Sequence, residues 1–509
     1  MTAPAPILQL EGISKRFGPI VANEDVTVTL AEGEVLALLG ENGAGKTTLM
    51  NILFGHYVPD TGRVVIEGRE LPLGQTRAAI DAGVGMVHQH FTLAPNLTVL
   101  ENVMTGTESL IRLASATRAA RRKLGELAER FGLAVDPDAR VSDLSVGEKQ
   151  RVEILKALYN EARILILDEP TAVLTTQEAE HLFETLRGMA KDGLSIIFIS
   201  HKLNEVLSAA DRIVVLRGGR VTAERLSGAT TKDELAELMV GRRVDRPVRG
   251  RVEPGKVIVE AEGIDVGTGG EKRLDQVSFT LRESEILGII GVSGNGQAAL
   301  AQLLSGLARP TAGRLTFDGR DASTLTARDL VRLGVARIPE DRNTEGAVGD
   351  FTLWQNTVLE KIDDPRFSRR GLVRRQAARE FCRDMIARFD VRGGGPETET
   401  RLLSGGNMQK LIFGRNLSDA PRLLIAAQPT RGLDEGAIAA VHAEILAARR
   451  GGAGVILISE DLDEVIALAD RAQAIYRGRL SPSVDADHLD PRKMGLMMAG
   501  VWDDMADAV

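Results

Sequence analysis

The sequence predicts an α/β chain built twice over, each copy a largely parallel β-sheet flanked by helices. Three observations carry that expectation. Short apolar runs of strand length alternate with helix-patterned segments, two of those runs lead into glycine loops that open helices, and landmarks of the first half return in order in the second.

With 509 residues, 43% hydrophobic and 26% charged, the chain can bury large cores and divide into two or more domains. A net charge of -8 argues against nucleic acid as the main partner, because such proteins carry a basic surplus. No apolar run reaches the roughly 18 to 20 residues of a membrane span, and Met1–Pro6 lacks the regions of a signal peptide, so a cytoplasmic location is expected. Cys382 is the only cysteine, which excludes an intramolecular disulfide and a cysteine-based metal cluster.

Taken in order, Glu34–Leu39 is an apolar strand, and Gly40-Glu41-Asn42-Gly43-Ala44-Gly45-Lys46-Thr47 after it fits G-x-x-x-x-G-K-[ST]. A helical pattern begins at Thr48. Strand, glycine loop and helix in that order make a phosphate cradle: backbone N–H groups turn inward, the helix N-terminus adds partial positive charge, Lys46 reaches the β- and γ-phosphates, and Thr47 ligates Mg²⁺. Arg118–Arg130 reads as a charged amphipathic helix outside the sheet, and the basic stretch Arg369, Arg370, Arg374, Arg375 and Arg379 reads as its counterpart. Solvated helix faces account for both; an acidic partner or a lipid-headgroup surface is the other reading. Arg163–Asp168 and Ser195–Ser200 are buried strands ending in polar residues, where open α/β sheets place ligands. Asp168 is suited to hold Mg²⁺, and Glu169 to polarise an attacking water by accepting its proton.

The repeat is read from spacing. Gly291-Val292-Ser293-Gly294-Asn295-Gly296-Gln297-Ala298 echoes the cradle 251 residues on, as Gly313 echoes Gly62. Later landmarks lie 259 apart: Ser145 and Ser404, Pro170-Thr171 and Pro429-Thr430, Asp211-Arg212 and Asp470-Arg471, Gly241 and Gly500. Eight extra residues therefore entered between about Glu340 and Ser404. The expected domains are 1–241 and 257–500, with a polar linker 242–256 whose arginines are solvated, and a tail 501–509.

Lys46-Thr47, Gln89, Leu144-Ser145-Val146-Gly147-Glu148-Lys149-Gln150, Asp168-Glu169 and His201 together resemble the ordered motif set of ABC-type ATPases, twice over and across nearly the whole chain. The resemblance implies two tandem P-loop ATPase domains, each with a RecA-like core, an antiparallel β subdomain and a helical subdomain, using ATP and Mg²⁺. It implies that Gly40–Thr48 cradle the phosphates, with Lys46, Glu169, Gln89 and His201 catalytic and Thr47, Gln89 and Asp168 at the metal. Thr48 belongs to that cradle. Phe17 would stack on adenine, its other reading being a core aromatic. Gln89 would link the site to a membrane partner, with a plain loop glutamine as the alternative.

The second repeat has lost this chemistry. Gln297 stands for Lys46, Ala298 for Thr47, Ala427 for Asp168, Gln428 for Glu169, Glu340 for Gln89 and Glu460 for His201, and no aromatic matches Phe17. Added negative charge beside a polyphosphate disfavours binding; a decayed structural repeat and weak nucleotide binding both remain open. Leu403-Ser404-Gly405-Gly406-Asn407-Met408-Gln409 keeps the signature glycines, whereas the first repeat has Val146 at the place of Gly405. Since ABC ATPases bind nucleotide between one domain's cradle and the other's signature, the resemblance implies one competent site that adds Ser404, Gly405, Gly406 and Gln409 to the first cradle.

Fused twin subunits of this kind resemble those energising importers of simple sugars and nucleosides. The implied partners are transmembrane permease subunits and, indirectly, an extracytoplasmic solute-binding receptor, with the chain peripheral at the cytoplasmic face of the plasma membrane and touching neither cargo nor nucleic acid. Gly294-Asn295-Gly296-Gln297 and Met86–Phe91 favour the nucleoside branch, since sugar-branch relatives more often carry arginine at position 297. Phe91–Val103 and Asp341–Gln355 are candidates to receive the permease, or ordinary surface loops. The competing class is a soluble twin-cassette ATPase acting on ribosomes or another macromolecule, which usually keeps both sites and a long charged linker.

Overall fold

The computed structural model describes residues 6–18, 20–88, 91–106, 117–171, 174, 176–200, 202–243, 247–268 and 271–502. Two compact units emerge, Met1–Val244 with Asp434–Gly436, and Asp245–Leu433 with Ala437–Val509.

In the first unit, a six-stranded sheet has the order Arg220–Leu226, Arg212–Arg217, Val35–Leu39, Ser195–Ile199, Ile164–Asp168, Val84–Val87. All neighbours are parallel except the first pair. Every residue of Val35–Leu39, Ile164–Asp168 and Ser195–Ile199 is buried, as a sheet covered on both faces requires. Alternation sends Leu165 and Leu167 into the core beneath the helices Val146–Tyr159 and Thr176–Lys191. Ile164 and Ile166 enter a second core, shared with the cradle helix and a four-stranded antiparallel sheet of Ile20–Leu30, Leu8–Phe17, Thr61–Ile66 and Arg69–Glu70.

The second unit repeats this plan, with a seven-stranded sheet around Ile286–Ile290, Gly454–Ser459 and Leu423–Ala427, and an antiparallel sheet built on Val257–Thr268 and Glu271–Arg282. The paired landmarks Asp211-Arg212 and Asp470-Arg471 gain a physical reason. Asp211 accepts from the Val35 N–H at 2.9 Å and Arg212 pairs with Glu34 at 2.7 Å, while Asp470 accepts from Ile286 at 2.8 Å and Arg471 pairs with Glu285 at 2.6 Å. Each pair pins the start of a cradle strand. Gly241 and Gly500 close their helices with left-handed φ of 80° and 87°.

Two expectations need correction. Thr117–Phe131 is the charged helix expected, but its basic counterpart is helical only from Arg375 to Arg388. Before it, Ser368–Arg369 and Leu372–Val373 form an isolated hairpin, because Arg370 (φ 53°) and Gly371 (φ 79°) both take the left-handed conformation that a tight two-residue turn demands. The linker arginines are not all solvated either. Arg249 donates to the Ala469 carbonyl, and the fully buried Arg449 donates to the Gly250 carbonyl at 2.7 Å and pairs with Asp470 at 2.5 Å, while Arg242, Arg243 and Arg251 are exposed. Among the described residues no helix is long and apolar enough to cross a membrane.

Candidate active site

The first cradle is set by backbone conformation. Between Val35–Leu39 and the helix Lys46–Leu53 the chain turns through Gly43 (φ 84°) and Gly45 (φ 98°). Gly45 cannot be replaced, because a Cβ there would strike the Ala22 carbonyl. Asn23, fully buried, donates from Nδ2 to the Gly45 carbonyl at 3.1 Å and ties the loop to the antiparallel sheet. Ala44 N–H donates to the Glu41 carbonyl at 3.1 Å, while Asn42, Gly43 and Thr47 stay exposed and Thr48 half-buried.

The helix begins two residues earlier than its apolar pattern suggests, so Lys46 and Thr47 occupy its first turn. Lys46 is buried, its Nζ donating to the carbonyls of Gly40 at 2.7 Å and Glu41 at 2.9 Å. Burial pulls this ammonium below the ordinary lysine range, against the nearby carboxylates of Glu169 and Asp168. The Thr47 hydroxyl hydrogen-bonds Asp168, whose carboxyl is pushed above the aspartate range by burial and then by the charge of Glu169. Glu169 turns off the strand end in a left-handed conformation (φ 48°), its N–H bonded to the Ile199 carbonyl at 3.0 Å. Lys46, Thr47, Asp168 and Glu169 are therefore brought together.

This donor set fits a magnesium-bound nucleoside triphosphate: Lys46 and the loop backbone for phosphates, Thr47 and Asp168 for a hard divalent cation. Phe17 is no core aromatic, being 42% exposed. It ends the strand opposite Ile20, in the hairpin whose Ala22 and Asn23 abut Gly45, and meets Tyr57 edge-on at 5.4 Å and the Lys15 ammonium at 5.5 Å. Gln89 and His201 lie outside the described residues.

Ser404 caps the helix Gly405–Leu417, and its hydroxyl accepts from Asn407 at 2.9 Å. A Cβ at Gly405 would lie 2.8 Å from the Arg342 guanidinium, which would have to swing aside. The first repeat has Phe91 at the place of Arg342 and accommodates Val146. Gln409 is buried and donates to the Pro429 carbonyl at 2.8 Å, as Gln150 does to Pro170 at 2.5 Å, so its amide braces the helix against the strand end.

The second cradle satisfies itself. Gln297, buried where Lys46 stood, donates from Nε2 to the Val292 carbonyl at 2.8 Å and accepts from the Asn295 N–H at 3.0 Å. Gln297 thus spans its loop as Lys46 spans the first, bonding the carbonyl at the place of Glu41, but it brings no positive charge for a phosphate. Gln428 keeps the left-handed turn of Glu169 (φ 47°), with its N–H on Ile458 at 2.8 Å, but carries no acid.

Three supports escaped sequence reasoning. Asn23 has Leu274 as its counterpart, so the two cradles differ beneath the loop as well as within it. Asn102 holds the loop at Ala94 through bonds of 2.8 and 3.1 Å, and Asn356 holds Val348 with two of 2.9 Å. Glu205 accepts from Thr171 at 2.6 Å and Ser200 at 3.1 Å, and Glu464 accepts from Thr430 at 2.8 Å and Ser459 at 2.6 Å. The last pair was findable, since it keeps the 259-residue offset.

Comparison with known proteins agrees with this construction. The family model described as ABC transporter matches residues 23–172 and 274–431. The chain is 42% identical to the glucose import ATP-binding protein TsgD13 of Haloferax volcanii over 99% of this chain and 97% of that protein. It is 40% identical to the nucleoside import ATP-binding protein NupA of Lactococcus lactis, over 97% of this chain and 98% of that one, and 37% identical to the ribose import ATP-binding protein RbsA of Chromobacterium violaceum, over 94% of each. Among solved structures, the archaeal ribosome recycling factor aABCE1 in complex with the stalk protein aP1 aligns over 93% of this chain and 90% of that one, with TM-score 0.62 and 20% identity, a likeness of fold alone. The two glycine cradles, the strand-end acids and this full-length similarity have one meaning: the chain belongs to the ABC transporter family, as an ATPase with two fused cassettes.

Proposed function

We propose that this chain is the ATP-hydrolysing subunit of a membrane importer for nucleosides or related simple sugars, with one working hydrolytic centre in its first unit. The observation that supports it best is the contrast between the cradles. Lys46, Thr47, Asp168 and Glu169 are gathered in one, whereas the other carries the uncharged Gln297, Ala298, Ala427 and Gln428 at those places. The import names of the relatives, glucose, nucleoside, guanosine and ribose, support the cargo class.

Bound magnesium-ATP supplies the phosphoanhydride whose cleavage drives the cycle. Lys46, desolvated, places undiluted positive charge on the phosphates. Thr47 and Asp168 would hold the cation, and Gln89, by its match to the family motif, would link the site to the permease. Phe17 stacks on the base, its ring steadied at one edge by Tyr57. Glu169 orients water and accepts its proton, and His201 contacts the γ-phosphate. Ser404, Gly405 and Gly406 contribute the signature side of the site, while Gln409 keeps their helix in place. The chain acts at the cytoplasmic face of the plasma membrane, on permease subunits. The stretches Phe91–Val103 and Asp341–Gln355, each fastened by a buried asparagine on the helix that ends it, receive them.

Reconstitution with permease and solute receptor tests this reading. ATP turnover should rise with a nucleoside or simple sugar, and Lys46→Ala should silence both hydrolysis and uptake. Indifference of turnover to every such solute, with stimulation by ribosomes instead, would contradict it.

A further inference from the structure

The hairpin within the longer second repeat has no function assigned by the ATPase chemistry. Residues 368–375 read Ser-Arg-Arg-Gly-Leu-Val-Arg-Arg: four arginines and no acid, in a chain of net charge -8. The base of the ribbon is fixed. Phe367 is buried against Phe381 at 5.0 Å between ring centroids, and Arg374 N–H donates to the Phe367 carbonyl at 2.8 Å. Beyond that anchor Ser368–Arg369 pairs with Leu372–Val373 alone, and residues 369–376 are all exposed, with Leu372 at 76%.

Its neighbours are neutralised and it is not. Arg366 pairs with Asp364 and Asp419, and Arg379 with Glu397, whereas Arg369, Arg370 and Arg375 meet no carboxylate among the described residues. Nothing in such a ribbon adds to a core, and an exposed leucine between arginine pairs is an arrangement suited to a surface that is anionic outside and apolar beneath.

We propose that the hairpin 368–375 is a contact for anionic lipid headgroups, Arg369, Arg370, Arg374 and Arg375 meeting headgroup phosphates while Leu372 enters the interface. This rests on the reading of the chain as peripheral to a membrane, but it is tested on the chain alone. A failure here would therefore leave solute-stimulated ATP turnover untouched.

The experiment is co-sedimentation of the full chain with vesicles of phosphatidylcholine, and of equal parts phosphatidylcholine and phosphatidylglycerol. Binding should require the anionic lipid and weaken with salt. The double variant R369Q/R370Q should lose roughly 25-fold in affinity, at about fivefold per arginine near the surface, with ATP turnover unchanged. L372S should weaken binding while keeping its salt dependence. Unchanged sedimentation of the double variant would overturn the proposal. So would equal binding to vesicles of phosphatidylcholine alone.

Discussion

Asn23 is a support beneath the loop that the first cradle has and the second lacks. Its amide holds the Gly45 carbonyl from below, and Leu274 at the same place in the second repeat can hold nothing. Asn23→Leu should cost one buried hydrogen bond, about 1 kcal/mol, read as a fall in melting temperature of roughly 2–4 °C together with weaker ATP binding. Asp168 illustrates the opposite trade. Burial and Glu169 raise its carboxyl above the ordinary range, so the native state holds the charged form less readily than the unfolded chain does. Its charged form therefore destabilises the nucleotide-free fold at neutral pH, and that cost disappears as pH falls through the raised value. Asp168→Asn should abolish hydrolysis yet raise the melting temperature by about 2–4 °C per kcal/mol relieved, and the gain should vanish in acid. A calorimetric scan across pH checks it. At this scale the sequence was legible where function replaced a residue, as at Lys46 and Gln297. It was silent on Asn23, because a lone asparagine in a strand carries no spacing that marks its partner.

Among elements, the buried strands and the cradle helix were readable because apolar runs of strand length end in glycine or acid. The hairpin 368–373 was not. Its turn is Arg-Gly rather than Asn-Gly, so the arginines merged with those of the helix that follows. The linker was read in part: Arg242, Arg243 and Arg251 are exposed as its polar composition suggests, but only the fold brings Arg449 beneath Gly250. That arginine is buried and paired with Asp470, whose carboxyl burial raises. Arg449→Met should strand the Asp470 charge and destabilise the second unit by about 3 kcal/mol, measured as a fall in the urea midpoint. Asp470→Asn in the same background should recover part of the loss.

For the whole molecule, the repeat preserves architecture and discards chemistry. Strand-end turns, clamped cradle strands and fastened loops occur in both units, while the acids and the phosphate lysine survive in one. Cys382, the chain's one thiol, is buried and pushed up to about 11 by desolvation. It should resist maleimide at neutral pH until the protein unfolds, which leaves introduced cysteines as unique reporters for mapping the permease; rapid labelling of the native chain would contradict that burial. The central claim is that one hydrolytic centre, in the first unit, drives the machine. Single-turnover ATP hydrolysis by the reconstituted transporter tests it most directly. Glu169→Gln should lower the rate by about a thousandfold, the order expected for removing a general base, while Gln428→Ala stays within about twofold of the parent. Comparable losses from the two variants would contradict the account.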